Sequence, residues 1–258
     1  MCRHLAYLGP PVRLAEPVLD APHGLLRQSH APRDMRGGGT VNADGFGAGW
    51  YAEPRPGAPE ADPVRYRSAG PIWSDASFAV LAAGTWAGAL LAAVRSATVG
   101  MPVTETASAP FTEGRWLFSH NGVIRRWPDS MAELARELPV TDLLTLDAGT
   151  DSALLWALLR HRLRAGAEPG AALAELVLAV EAAAPGSRLN LLLTDGTAIW
   201  ATAWDHALSL RMTDDAALVA SEPIDDRAGW EPVPDRCLVV ARPGDCRISK
   251  LAATTGDP

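Results

Sequence analysis

The sequence predicts an α+β protein, with antiparallel sheets, helices packed outside them, and one domain spanning residues 1–258. Three observations carry this. Strand-length apolar runs occupy both ends of the chain, helical periodicity is confined to the middle, and 258 residues at 48% hydrophobic composition can bury a full core.

Residues 3–8 mix apolar and polar side chains at strand length and stop at Gly9-Pro10-Pro11. That predicts a short strand on a sheet edge with Cys2 at its start. Residues 12–40 hold several prolines and read as irregular with one short helix. In residues 42–51, Asp44-Gly45 signals a turn, and the Gly/aromatic alternation after it suits a strand closely approached on one face. A dinucleotide-binding reading fails there: Gly45, Gly47 and Gly49 do not match G-x-G-x-x-G, and the segment runs into Pro54, Pro56 and Pro59, an exposed loop, instead of opening a helix. Residues 64–68 read as a strand, 74–81 as a short helix, and 87–94 as an apolar strand ending abruptly at Arg95.

The next strand, from residue 115, runs into His120-Asn121-Gly122, where Asn-Gly predicts a hairpin turn on local grounds. Helices follow at 129–138, 153–164 and 170–184, the second capped by Thr150 or Asp151. Strands resume at 189–194, 198–204, 208–212, 218–221, 237–241 and 247–251.

Charge and cysteine usage narrow the function. A net charge of −7 gives no electrostatic footprint for nucleic acid or an anionic membrane. No signal peptide or membrane-length apolar run is visible, so the expected location is cytoplasmic. Three cysteines form neither a disulfide framework nor a zinc pattern; no metal or cofactor is expected, and Cys237 and Cys246 read as small buried hydrophobes.

Cys2 stands apart. If Met1 is removed, the chain begins with a thiol and a free α-amine on one residue. Such an amine titrates near pH 7.7–8.0 in peptides, so one residue supplies both nucleophile and base.

Met1-Cys2, Asn42-Ala43-Asp44-Gly45-Phe46-Gly47, Arg95-Ser96-Ala97-Thr98, His120-Asn121-Gly122 and Thr150-Asp151-Ser152 together resemble the class II glutamine amidotransferases, the glutaminase branch of the N-terminal nucleophile (Ntn) hydrolases. Each motif alone is weak, but the five occur in order. The resemblance implies a four-layer α-β-β-α sandwich. It also implies Cys2 as nucleophile, Asn121 and Gly122 as oxyanion donors, Arg95 with Thr98 on the substrate α-carboxylate, and Asp151 on its α-ammonium.

Residues 1–9 and Ala220-Ser221-Glu222-Pro223-Ile224-Asp225-Asp226 resemble the stand-alone hydrolases of that family that serve ergothioneine synthesis. This implies water as acceptor and a small-molecule γ-glutamyl thioether sulfoxide as substrate, whose leaving amine carries a trimethylammonium. Aromatic faces hold such groups, with Trp50, Trp86 and Trp116 among the nine tryptophans available. One departure is Val123-Ile124-Arg125-Arg126, where many amidotransferases carry an Asn shortly after the Gly; its expected effect is on the acceptor side alone. Three alternatives remain: a glutaminase subunit feeding a separate synthase, a non-catalytic γ-glutamyl binding module, and a Cys-His pair using His4 or His120, which otherwise read as core or hairpin histidines.

Overall fold

A computed structural model describes residues 2–35, 41–52 and 62–251. The first half of the chain contributes β1 (Arg3–Arg13), α1 (Leu25–Gln28), β2 (Phe46–Trp50), β3 (Val64–Ser68), α2 (Ala76–Gly84), β4 (Trp86–Val94), β5 (Phe111–Glu113) and β6 (Trp116–Val123). Four helices follow: α3 (Ala132–Ala135), α4 (Val140–Leu144), α5 (Asp151–Arg164) and α6 (Pro169–Ala183). The chain then returns to strands: β7 (Arg188–Thr194), β8 (Ile199–Ala203), β9 (Ser209–Met212), β10 (Ala217–Ala220), β11 (Trp230–Pro232), β12 (Cys237–Arg242) and β13 (Asp245–Lys250).

These strands form two antiparallel sheets, ordered β11-β9-β10-β1-β4-β2-β3 and β13-β12-β8-β7-β6-β5. Alternation builds the layers. On β1, Ala6 and Leu8 face the second sheet and meet Leu117, Leu192 and Val239, while Leu5 faces outward to Leu25, Phe78 and Val94. Outward residues of the second sheet, Phe118, Leu191 and Leu193, pack on Trp156 of α5 and Leu173 and Leu176 of α6. The result is the α-β-β-α sandwich. Among the described residues, no helix is long and apolar enough to cross a membrane.

Several expectations are corrected. β1 is central, between β10 and β4, and not at an edge; Leu5 and Ala6 are buried on its opposite faces because helices cover one side of the sheet and the second sheet the other. It also continues past Gly9-Pro10-Pro11, because a register shift between Leu8 and Val12 absorbs residues that cannot donate to the ladder. Asn121-Gly122 is no hairpin turn. β6 runs straight through it, pairing Asn121 with Asn190 and Gly122 with Leu189. Glycine is required there because a Cβ would overlap the Arg188 carbonyl oxygen.

The helix expected at 74–81 begins at Ala76, where Asp75 accepts the Phe78 N–H at 2.9 Å. That at 129–138 breaks into a turn over Asp129–Met131 and α3. The glycines after Asp44 behave as expected: Cβ atoms at Gly47 and Gly49 would meet the Ala109 carbonyl oxygen at 2.5 Å and Leu117 at 2.7 Å. Cys237 is buried and Cys246 half-buried, both as free thiols. Pro54, Pro56 and Pro59 lie outside the described residues.

Candidate active site

Register places Cys2. Arg3 pairs with Val94 across β1 and β4, and Phe46 pairs with Val94 across β2 and β4, so Cys2, Arg95 and Gly45 end three adjacent strands at one edge of the sandwich. Arg95 accepts from the Asp44 N–H and donates its own N–H to Gly45, at 3.0 and 2.8 Å. The Asp44 carboxylate takes the Ala97 N–H at 2.8 Å and pins the loop after β4. Two sequence motifs thus meet beside the thiol, which contacts the Ser96 carbonyl oxygen at 3.8 Å.

The second sheet contributes Ser119, His120 and Asn121. His120 Nδ1 lies 3.0 Å from Ser152 Oγ and its Nε2 3.0 Å from the Arg188 carbonyl oxygen, which ties β6 to the start of α5. Cys2, Arg95, Ser119, His120 and Ser152 line one narrow cavity. Four of the five motifs contribute to it or border it, and the fifth, at Asp44, holds its rim.

Arg95 is 9% exposed, and its recorded side-chain partners are two carbonyl oxygens, of Asp44 at 3.3 Å and Pro102 at 2.9 Å. Among the described residues no carboxylate pairs with it. A buried guanidinium facing a cavity without a counter-ion fits a ligand carboxylate. Thr98, by contrast, is exposed and does not line the cavity.

Asp151 is buried at the N-terminus of α5, where Thr150 makes the cap by accepting the Ala153 N–H at 3.2 Å. The carboxylate is therefore not spent on capping. It accepts the N–H groups of Ser152 at 2.7 Å and Ile124 at 3.2 Å. The Ile124 donor is a backbone group, so the contact is independent of which side chains follow Gly122. A backbone amide of that segment orients Asp151.

Asn121 is fully buried. Its Nδ2 donates to Ser221 Oγ at 3.0 Å, and its Oδ1 has no partner. Ser221 Oγ also accepts the His4 N–H at 2.9 Å and lies 3.2 Å from the His4 carbonyl oxygen. A hydroxyl donates or accepts, so a half-turn of the Asn121 amide keeps Ser221 satisfied and puts an N–H where the unpaired oxygen stands.

The histidines do not pair with Cys2. His4 Nδ1 lies 3.2 Å from Ser119 Oγ and Nε2 has no partner; burial, reinforced by His120, His206 and Arg3, lowers its pKa to about 3. The His120 ring nitrogens are engaged by Ser152 and the Arg188 carbonyl, and His4 Nδ1 by Ser119, so neither histidine has a hydrogen bond to the thiol among the described residues.

Sequence reasoning assigned no role to Arg3, Ser221 and Glu222, although the segments that hold them carried the resemblance, and it passed over Arg188. The Arg3 guanidinium is buried; it donates to the Cys2 carbonyl at 3.0 Å and to that of Asp34. Glu222 accepts the Arg33 and Asp34 N–H groups at 2.9 and 2.8 Å, and the Ser221 N–H donates to His4 at 2.9 Å. These bonds close a ring around the start of β1. The available signal was a charge at Arg3 in phase with Leu5 on an otherwise apolar strand face. A larger hollow, about 520 Å³, opens beside the ring, lined in part by Arg33, His206, Ser221, Glu222 and Asp235. No tryptophan lines it or the Cys2 cavity. Trp86 and Trp116 begin β4 and β6, at the ends remote from Cys2.

A family model described as class-II glutamine amidotransferases matches residues 28–213. A protein named gamma-glutamyl-hercynylcysteine sulfoxide hydrolase from Mycolicibacterium smegmatis is 43% identical over 97% of this chain and 100% of its own length. One of the same name from Mycobacterium tuberculosis is 42% identical over 93% and 92%. In fold, the chain is similar to a glutamine aminotransferase class-II domain protein from Silicibacter pomeroyi (TM-score 0.68, 22% identity, 97% of this chain and 100% of that one). It is also similar to the B. subtilis glutamine phosphoribosylpyrophosphate amidotransferase (TM-score 0.62, 14% identity, 97% of this chain and 49% of that one).

Proposed function

The chain belongs to the class II glutamine amidotransferases, and on that premise we propose that it hydrolyses the γ-glutamyl amide of γ-glutamyl-hercynylcysteine sulfoxide, releasing glutamate and hercynylcysteine sulfoxide. The observation that carries this reading is the Cys2 thiol beside the buried, carboxylate-free Arg95 at the edge of one cavity. The near-full-length likeness to hydrolases of that name supports the choice of leaving amine.

In this mechanism Arg95 takes the substrate α-carboxylate and Asp151 the α-ammonium, which orients the γ-carbonyl toward Cys2. With Met1 removed, the Cys2 α-amine accepts the thiol proton as sulfur bonds to the carbonyl carbon. Asn121, with its amide turned, and the Gly122 N–H stabilise the oxyanion. The proton then passes to the amide nitrogen, the C–N bond breaks, and a γ-glutamyl thioester remains on Cys2. Water attacks the thioester, releasing glutamate and restoring the thiol. Thr98, exposed on the loop after β4, has no part in this scheme.

The test combines intact mass with product analysis. Purified protein should lack the mass of Met1, gain one adduct on Cys2 from 6-diazo-5-oxonorleucine, a glutamine-shaped electrophile, and release glutamate from the sulfoxide substrate. Cys2→Ala should lose the adduct and at least a thousandfold in rate. Retained Met1 without an adduct would refute the N-terminal nucleophile. Efficient turnover of free glutamine alone would move the reading to an ammonia-supplying subunit.

A further inference from the structure

We propose that Arg188 is the specificity-determining cation of the leaving-group side, receiving the α-carboxylate of an amino acid joined through its nitrogen to the γ-glutamyl group. The argument begins with alternation on β7. Leu189, Leu191 and Leu193 face the helices, whereas Leu192 faces the opposite sheet, so Asn190 and Arg188 share its inward face. On β6, in register, Leu117, Ser119 and Asn121 face inward and Val123 pairs directly with Arg188. Arg188 is therefore the last inward side chain of its strand, one step beyond the Asn121–Asn190 pair, at the edge where Cys2 lies.

Its bonding leaves it available. Arg125 and Arg126 spend their guanidinium groups on carbonyl oxygens of Gly186 and Ala183, each at 3.2 Å. Arg188 Nε is buried without a partner, and among the described residues no carboxylate forms an ion pair with it. Its backbone is fixed at the Cys2 cavity, where its carbonyl oxygen lies 3.0 Å from Nε2 of the lining residue His120; burial, then Arg125, lower its pKa, opposed by Cys2 and then Asp205. A half-buried cation with no ion-paired carboxylate, next to a reacting centre, fits an anion brought by the substrate.

Chemistry identifies that anion. Arg95 already faces the glutamyl side from the first sheet, whereas Arg188 projects from the second, beside the proposed oxyanion donors. In a γ-glutamyl amino acid the carbon bonded to the scissile nitrogen carries a carboxylate, which must lie near the oxyanion donors when the amide faces Cys2. Free glutamine has no such group. Arg188 thus separates γ-glutamyl amino acids from glutamine by a charge only the former carry.

This inference rests on the hydrolase reading, and the experiment separates the two. Hydrolysis of γ-glutamyl-S-methylcysteine is compared with that of its cysteinamide form, in which the carboxylate is a neutral amide, using wild type, Arg188→Gln and Arg188→Lys. Rates are counted per Cys2 labelled by the electrophile. Wild type should prefer the acid by about ten- to a hundredfold in kcat/KM, Arg188→Gln should lose that preference through a higher KM for the acid alone, and Arg188→Lys should keep part of it. Equal turnover of the two substrates by wild type overturns the assignment whether or not the variants fold. So does an undiminished preference in Arg188→Gln. Wild type that hydrolyses neither substrate, nor the sulfoxide, refutes the hydrolase reading itself.

Discussion

Among the strands that line the inter-sheet layer, four change character along their length. On β1 the inward side chains run His4, Ala6, Leu8; on β6 they run Asn121, Ser119, Leu117; on β7, Asn190 then Leu192; on the strand ending at β10, Ser221 then Val219. All are buried. Burial alone therefore does not distinguish the two halves of this layer; hydrogen bonding does. The apolar half needs no partners and gains from leaving water, whereas the polar half is held by a network that leaves two buried side-chain atoms, His4 Nε2 and Asn121 Oδ1, unpaired. Such atoms are costly, and these two belong to residues bonded to Ser119, which lines the Cys2 cavity, and to Ser221.

The comparison implies that activity and stability separate between the halves. Asn121→Ala should lower kcat by about two to three orders of magnitude, the usual loss of one oxyanion donor, in steady-state assays per labelled Cys2. Its stability should change little, since the residue it removes carries an unpaired atom of its own. An unchanged kcat would remove Asn121 from the proposed mechanism.

Leu192→Ala, one inward position beyond Asn190 on β7, is the counterpart. It should cost about 2–5 kcal/mol in denaturant unfolding, through lost burial and a residual cavity. kcat per labelled site should stay at the wild-type value. A parallel fall in kcat would mean that the two halves are not separable and that packing below the network sets the site's geometry.

How much of this was readable in the chain follows from the range of each interaction. Helices α5 and α6 and most strands follow from local period, and five motifs in order pointed to the sandwich. What local pattern could not reach was anything whose partner lies far away. Arg3 is held from Asp34, and His4 from Ser221, 217 positions on. Arg188 reads as an ordinary strand-start charge until β6 is placed beside it. Asn121-Gly122 was misread because the dipeptide's turn preference is local, whereas its actual constraint is the approach of the Arg188 backbone. The central position of β1 was missed for the same reason: neighbours in a sheet are chosen by topology.

The smallest predicted effect concerns His4, a fully buried member of the polar half. Burial holds its pKa at about 3 in the folded protein, against about 6.5 for an unperturbed histidine. Between those values the unfolded chain binds a proton that the folded one refuses, so stability falls as pH drops through this window and is unaffected by His4 above it. The slope is at most about 1.4 kcal/mol per pH unit. Carboxylates such as Asp225, whose pKa is lowered against the cost of burial by bonds from Trp230, Arg227 and Arg211, add to the same acid limb. The contribution of His4 is therefore read as a difference. His4→Gln, unfolded by urea at pH 7, 5.5 and 4.5, should lose less stability on acidification than wild type, even if it is less stable at pH 7. Parallel curves for the two proteins would show that His4 takes up its proton in the folded state after all, and that the polar half is open to water where its unpaired atoms imply that it is closed.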